Sequence, residues 1–120
     1  NLTRANLLGA DLSGADLSGA YLSRAILMDA KLDYKIQDGL LQKIADIVLN
    51  DESRLKMSIW HSSCGTAHCL SGWACYLNDV AKKLEKTHGT QIAGLLTLGA
   101  EAHSHFFDNN SEAIEWLKSL

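Results

Sequence analysis

The sequence predicts a mixed fold in which a short solenoid is followed by a small all-α helical bundle. Leucine recurs at every fifth position from Leu2 to Leu32, a spacing that neither a helix nor a strand explains. From Lys35 onward, apolar residues instead recur at the three-to-four spacing of amphipathic helices. We therefore expect two domains, with residues 1–32 forming the solenoid and residues 33–120 forming the helical domain.

The first domain is defined by two columns of residues that stay in phase. Leucine falls at positions 2, 7, 12, 17, 22, 27 and 32, and alanine lies two residues before each of the last six. A helix would distribute leucines of this spacing around its whole surface, and a strand would place them on alternate faces. A coil that turns a corner every five residues points all of them inward, so the spacing predicts such a coil.

This pattern resembles the pentapeptide-repeat family, whose members form a right-handed, four-sided β-helix. The resemblance implies a solenoid core made of the central leucines and their small neighbours, namely Leu7, Leu12, Leu17, Leu22, Leu27, Ala10, Ala15 and Ala20. Tyr21 and Ile26 depart from the pattern, since the family places a polar, outward residue there. Two interpretations of this pair stay open, a docking surface or tolerated surface residues. So few repeats bury little area, and the run is expected to be the end of a longer solenoid.

The second domain is predicted to hold four or five short helices packed around three tryptophans. Apolar spacing predicts a first helix from residue 35 to residue 50 and a second over residues 66–88. A third is expected from Thr90, and Ser111 is expected to cap the last short helix. Three histidines are expected at the surface or at helix ends, namely His88, His103 and His105.

One segment of this domain, residues 60–73, concentrates the side chains that carry chemistry. Within nine residues it holds two histidines and two cysteines, namely His61, Cys64, His68 and Cys69. These four are candidate zinc ligands, because zinc prefers thiolate and imidazole, although His68 and Cys69 are adjacent and structural zinc usually takes separated pairs. The string WHSSCGTAHCLSGWA also resembles one in small uncharacterised bacterial and phage proteins, which assigns it no role.

Three further interpretations of the segment stay open. Cys64 or Cys69 is a candidate nucleophile at a helix start, where the helix dipole lowers a thiol pKa, with His61 or His68 as its base. A disulfide between Cys64 and Cys69 is sterically conceivable. The favoured interpretation is structural, because unmodified cysteine is among the most buried residue types and histidine hydrogen bonds often pin a loop.

Composition and charge argue against several functions. The net charge is −3 and no basic stripe occurs, which argues against binding nucleic acid through its phosphates. No window has the length of a membrane span. Three cysteines, an odd number, without a secretory signal favour a reducing compartment, so a cytoplasmic location is expected.

We therefore expect a non-catalytic interaction or scaffold protein, in which the helical domain caps the solenoid or binds a protein partner, with a homodimer left open. No enzymatic activity and no cofactor are expected. One alternative comes from the resemblance, because some pentapeptide-repeat proteins mimic DNA and bind DNA gyrase. Mimicry needs an acidic, long rod, whereas residues 1–32 are neutral and short. The other alternative is a zinc-binding or cysteine-dependent activity centred on residues 61–69.

Overall fold

The computed structural model describes residues 4–7, 9–12, 31–59 and 68–120. In these ranges the repeats are followed by a compact, all-helical domain of six α-helices and one 3₁₀ turn. Their bounds are α1 Leu40–Asn50, the 3₁₀ turn Glu52–Arg54, α2 Leu70–Leu77, α3 Asp79–His88, α4 Thr90–Leu98, α5 Ala100–His103 and α6 Asn110–Lys118. No helix within the described ranges is both long enough and apolar enough to cross a membrane.

The repeat segment turns through left-handed backbone positions that lie one pentapeptide apart. Arg4 has φ 62° and Gly9 has φ 70°. At the second position the backbone N–H of Ala10 donates to the carbonyl of Leu7 at 2.9 Å, which closes a turn with Gly9 as its third residue. A left-handed third residue is typical of a type II turn and explains why glycine is favoured there. Corners at this spacing match the pentapeptide period of the sequence.

A parallel bridge joins residues 9–12 of the repeat segment to the end of the segment at Lys31. It pairs Asp11 with Lys31. The N–H of Leu12 donates to the Lys31 carbonyl, and the N–H of Lys31 donates to the Ala10 carbonyl, both at 2.6 Å. Lys31 follows Asp11 by four pentapeptides of the repeat. Lys31 therefore lies beside Asp11, which precedes it by four repeats in the sequence.

The first helix begins later than its apolar spacing predicted. Residues 32–37, which we call the extended segment, belong to no helix, and α1 starts only at Leu40, after a left-handed Gly39 with φ 78°. Ile36, which the sequence assigned to this helix, is 49% exposed in the extended segment. The predicted end is confirmed, because α1 ends at Asn50.

The predicted second helix is in fact two helices. Its first half starts at Leu70 rather than near residue 66, and Asn78 separates it from the second half. The Asn78 side chain accepts a hydrogen bond from the N–H of Ala81 at 2.9 Å, so it caps α3. Both halves pack on α4.

The main core is built by all six α-helices and includes Trp73, which is fully buried. The indole N–H of Trp73 donates to the Arg54 carbonyl at 2.9 Å, and the Arg54 guanidinium lies 4.8 Å from the ring centroid. Helix α4 crosses α2 closely, because a Cβ on Gly94 would lie 2.0 Å from Ser71 Oγ and 2.9 Å from Phe106 Cζ. Glycine is needed at this crossing.

The last helix is capped by a different residue from the one predicted. Asn109, not Ser111, accepts from the N–H of Glu112 at 2.9 Å, and the Glu112 side chain accepts from the N–H of Asn109 at 3.0 Å. This reciprocal pair is a capping box. The following residue, Asn110, joins the helix to the loop, since its side chain donates to the Leu55 carbonyl and accepts from the N–H of Met57, both at 2.8 Å.

Candidate functional site

The described end of the candidate segment is held by backbone hydrogen bonds. The N–H of His68 donates to the Arg54 carbonyl at 3.2 Å, and the His68 carbonyl accepts from Lys56 at 3.0 Å. The N–H of Cys69 donates to the Ile59 carbonyl at 3.2 Å. The residues up to Ile59, just before the candidate segment, and the described residues of the segment from His68 are therefore held side by side.

The imidazole of His68 is buried in an aromatic cluster. Only 1% of His68 is exposed. Its ring centroid lies 4.6 Å from that of Trp73, edge to face, and 4.8 Å from that of Tyr76. Aromatic pairs at these separations stabilise a core beyond the area that they bury. His68 therefore packs as a member of this aromatic cluster.

Cys69 stands at the start of α2, but its surroundings oppose a reactive thiolate. Its Sγ accepts a hydrogen bond from the N–H of Gly72 at 3.3 Å, so it acts as the helix N-cap. Burial nevertheless raises the pKa of the Cys69 thiol to about 11, because it outweighs the backbone N–H groups that favour the charged form. Cys75 is also buried, and burial followed by the charge of Glu85 raises its pKa. Both thiols have the environment of structural cysteines.

Half of the candidate set lies outside the described residues. His61 and Cys64 are the two candidates outside that part of the chain. Their roles as ligand, base, nucleophile or disulfide partner stay predictions. Within the part of the chain that the structure describes, no three His, Cys, Asp or Glu side chains group as metal ligands would. His68 and Cys69 are adjacent in sequence, but the first points into the aromatic cluster and the second caps α2.

A buried histidine was missed by the sequence analysis. His103 was expected at the surface or at a helix end, yet only 1% of it is exposed. It ends α5, as predicted, but its ring packs into the protein against Phe106 and Phe107. His105 fits the expectation better, because it is part-exposed, stacks on Trp116 and lies 2.7 Å from an Asp108 carboxylate oxygen. Sequence alone does not separate two histidines so close together in the chain.

Among the recesses on the described surface of the helical domain are two of about 200 and 300 Å³. The first is lined by Met57, Ser58, Ile59, Phe106 and Phe107, and we call it the Met57–Phe107 pocket. The second runs between the extended segment, the start of α1 and the chain end at Leu120. Neither is lined by a cluster of titratable side chains, and four of the five residues that line the first are apolar.

A second core joins the repeat segment to the helical domain. On α4 it consists of Ile92, Leu95 and Leu96, which are at most 7% exposed. Packed against them are side chains from the N-terminal part of the chain, namely Leu7, Leu12, Leu32 and Tyr34. We call these seven residues the interface core. Leu7 and Leu12 belong to the predicted solenoid core, and the structure places them against α4.

The extended segment fastens this interface through its backbone. The N–H of Lys35 donates to the Leu96 carbonyl at 2.9 Å, and the N–H of Gln37 donates to the Thr97 carbonyl at 3.0 Å. These two carbonyls lie in the last turn of α4, where no intrahelical donor is available. The Asn78 side chain donates to the Gln37 amide oxygen at 3.2 Å, which adds a contact to the α2–α3 junction.

Residues 1–33 match the family model described as pentapeptide repeats (8 copies). Residues 1–33 are therefore a pentapeptide-repeat segment. Part of its predicted core and both docking residues lie outside the described residues and stay predictions, namely Leu17, Leu22, Leu27, Ala15, Ala20, Tyr21 and Ile26. No curated protein and no solved structure matches the chain.

Proposed function

We propose that the protein is a non-catalytic interaction protein, in which a four-sided, right-handed pentapeptide-repeat coil is closed by the helical domain. The observation that carries the proposal is the interface core, where α4 packs on Leu7, Leu12 and Leu32. A solenoid exposes apolar residues and unpaired backbone at any uncovered end, so it needs a cap. Helix α4 has the burial expected of one, because residues 92–97 are all buried.

The register of the repeat supports a four-sided coil. Asp11 and Lys31 pair in parallel at a separation of four pentapeptides, which is the length of one turn of the coil. Each pentapeptide then forms one side, and the left-handed positions at Arg4 and Gly9 form successive corners. Such a coil presents rigid, flat faces, which suit it for binding another protein rather than for chemistry.

The connection between the two parts supports a rigid scaffold. Backbone hydrogen bonds from Lys35 and Gln37 hold the extended segment along the end of α4, and Tyr34 lies in the interface core. A flexible linker would instead be rich in glycine and serine and would lack such bonds. A partner bound to the repeats would therefore meet the helical domain in one fixed orientation.

The cap is tested with a charge on each side of the interface core. Leu96→Glu lies on α4, and Leu12→Glu lies on the repeats, away from the main core. Leu96→Glu buries a carboxylate without a partner and is expected to lower stability by about 2–4 kcal/mol. Leu12 is only partly buried, so Leu12→Glu is expected to lower stability by about 1–2 kcal/mol. Uncovered leucines should also cause concentration-dependent association, which sedimentation velocity would detect.

Leu49→Glu is the matched control, because Leu49 lies on α1 and is 37% exposed. It should change the free energy of unfolding by less than about 0.5 kcal/mol and leave the sedimentation coefficient unchanged. Variants of Leu12 and Leu96 that unfold and sediment as this control does would overturn the cap.

A further inference from the structure

His103 occupies an unusual site for an imidazole. It is 1% exposed, at the end of α5, with ring centroids of Phe106 at 5.3 Å and of Phe107 at 5.9 Å. Its Nε2 lies 3.0 Å from Gln91 Nε2 on α4. Its Nδ1 is buried and has no hydrogen-bond partner among the described residues. A buried polar atom without a partner lowers the stability of the fold. The packing of the two phenylalanines and the contact with Gln91 therefore have to offset the cost of burying Nδ1.

The surroundings of His103 favour the neutral ring. If the Gln91 amide N–H donates to Nε2, this nitrogen is the acceptor and the single proton resides on Nδ1. A second proton would place an N–H against the Gln91 NH₂ group. Burial lowers the pKa of His103 to about 4, and burial is the one cause of that shift.

Among the described residues of α4, α5 and the turn that follows, no charged group compensates a proton on His103. Helix α4, which supplies Gln91, carries no charged side chain. On α5 the charged neighbour is Glu101, which is exposed. In the following turn, His105 and Asp108 pair with each other. A protonated His103 would therefore be a buried cation without a counterion, which is strongly unfavourable.

The elements around His103 are joined to α4 through the backbone at Gly99 and through a side-chain contact of Phe106. Gly99, with φ 100°, separates α4 from α5, and the N–H of His103 donates to its carbonyl at 3.1 Å. Beyond His103, Phe106 packs against Gly94 of α4 and also lines the Met57–Phe107 pocket. Movement at Gly99 would therefore carry Phe106 out of its contact with α4.

We propose that His103 is an acid-sensitive contact that holds residues 100–107 against α4 and releases them when its buried ring takes up a proton. The released segment uncovers apolar surface at Gly94 and at the Met57–Phe107 pocket. This inference concerns the helical domain alone and does not depend on the cap. It predicts that the protein opens locally in acid before it unfolds as a whole.

The direction of the pH dependence follows from the linkage between protonation of His103 and opening of the segment. The ring has a lower pKa in the folded protein than in the unfolded chain, so the neutral form is the folded one. The stability that the neutral His103 ring contributes is complete above pH 6.5, about the pKa of histidine in the unfolded chain. This stability is lost as the pH falls toward 4. The opening constant should rise on the order of 100-fold across this range.

The test uses the full chain and two variants, His103→Phe and His105→Gln. Hydrogen exchange of the amides of residues 99–107 is measured from pH 7 to pH 4 and corrected for the intrinsic exchange rate. The parent and His105→Gln should lose protection in this segment as the pH falls, while α1 stays protected. His103→Phe should keep its protection, because the aromatic ring packs without a titrating nitrogen.

A second measurement covers the case in which His103→Phe does not fold at pH 7. The imidazole resonances of the parent are then followed by NMR, with His103 expected to titrate below pH 5 together with the exposure of residues 99–107. Titration of His103 near pH 6.5, or an acid opening that His103→Phe does not move, would overturn the proposal.

Discussion

Asp11 and Lys31 pair across a parallel bridge, although four pentapeptides of the repeat separate them. Two hydrogen bonds of 2.6 Å accompany the pairing, and the donor of one of them is Leu12, which packs against α4. The bridge within the repeat segment and the contact with the helical domain therefore meet at neighbouring residues. A change that disturbs the interface core should be felt at the bridge.

Arg4→Gly should stabilise the protein. Arg4 has φ 62°, a left-handed conformation that costs a residue with a Cβ about 1 kcal/mol and costs glycine almost nothing. The equivalent position one repeat later is already Gly9, with φ 70°. We expect a gain of about 0.5–1 kcal/mol in the free energy of unfolding, measured by urea denaturation. Arg4→Ala is the control for loss of the charged side chain, and an equal gain in that variant would contradict the explanation.

Tyr34→Phe should be neutral or stabilising, although it removes a hydroxyl from the interface core. The Tyr34 hydroxyl is buried, lacks a hydrogen-bond partner among the described residues, and has its pKa raised by burial. Removing an unsatisfied polar atom recovers its desolvation cost, so the free energy of unfolding should rise by up to about 1 kcal/mol. A loss of about 1 kcal/mol or more in denaturant unfolding would show that the hydroxyl has a partner.

Gly94→Ala should destabilise the helical domain by about 1–3 kcal/mol, because the added methyl group would overlap Ser71 and Phe106 at the crossing of α2 and α4. The overlap with Ser71 involves both Oγ and Cβ, so Ser71→Gly should relieve it. In a double-mutant cycle the two changes together should cost less than the sum of the separate costs. Strict additivity would mean that α4 moves aside instead.

The Cys69 thiol should react slowly at neutral pH. Its pKa of about 11 leaves a very small thiolate fraction at pH 7, and the fraction should rise only as the pH approaches that value. Alkylation followed by peptide mass spectrometry gives the rate at Cys69 separately from the other cysteines. A rate at pH 7 equal to that of an exposed thiol would restore Cys69 as a candidate nucleophile.

Local signals predicted the repeat, the end of α1 and the start of α4, because period and helix caps act over a few residues. The break at Asn78 was missed, since the apolar spacing continues through it and only the hydrogen bond to Ala81 reveals the cap. The extended course of residues 35–37 was missed for another reason. Its hydrogen bonds end on Leu96 and Thr97 of α4, far along the chain, and no local pattern encodes those partners.

The candidate site shows the same limit. Sequence grouped His68 with Cys69 by their adjacency, but the structure gives them separate roles in an aromatic cluster and a helix cap. The sequence also did not distinguish His103 from His105, because the burial of His103 depends on Gln91 and on the two phenylalanines that follow it. Side-chain chemistry is visible in a sequence, whereas desolvation depends on tertiary packing.

Hydrogen exchange at the amides of Leu12 and Lys31 tests the central claim most directly, because both donate in the bridge beside the interface core. In the parent these amides should be protected, and in Leu96→Glu they should exchange at least about tenfold faster, while the Trp73 amide in the main core changes less. Protection of Leu12 and Lys31 that is the same in the parent and in Leu96→Glu would show that α4 does not close the coil.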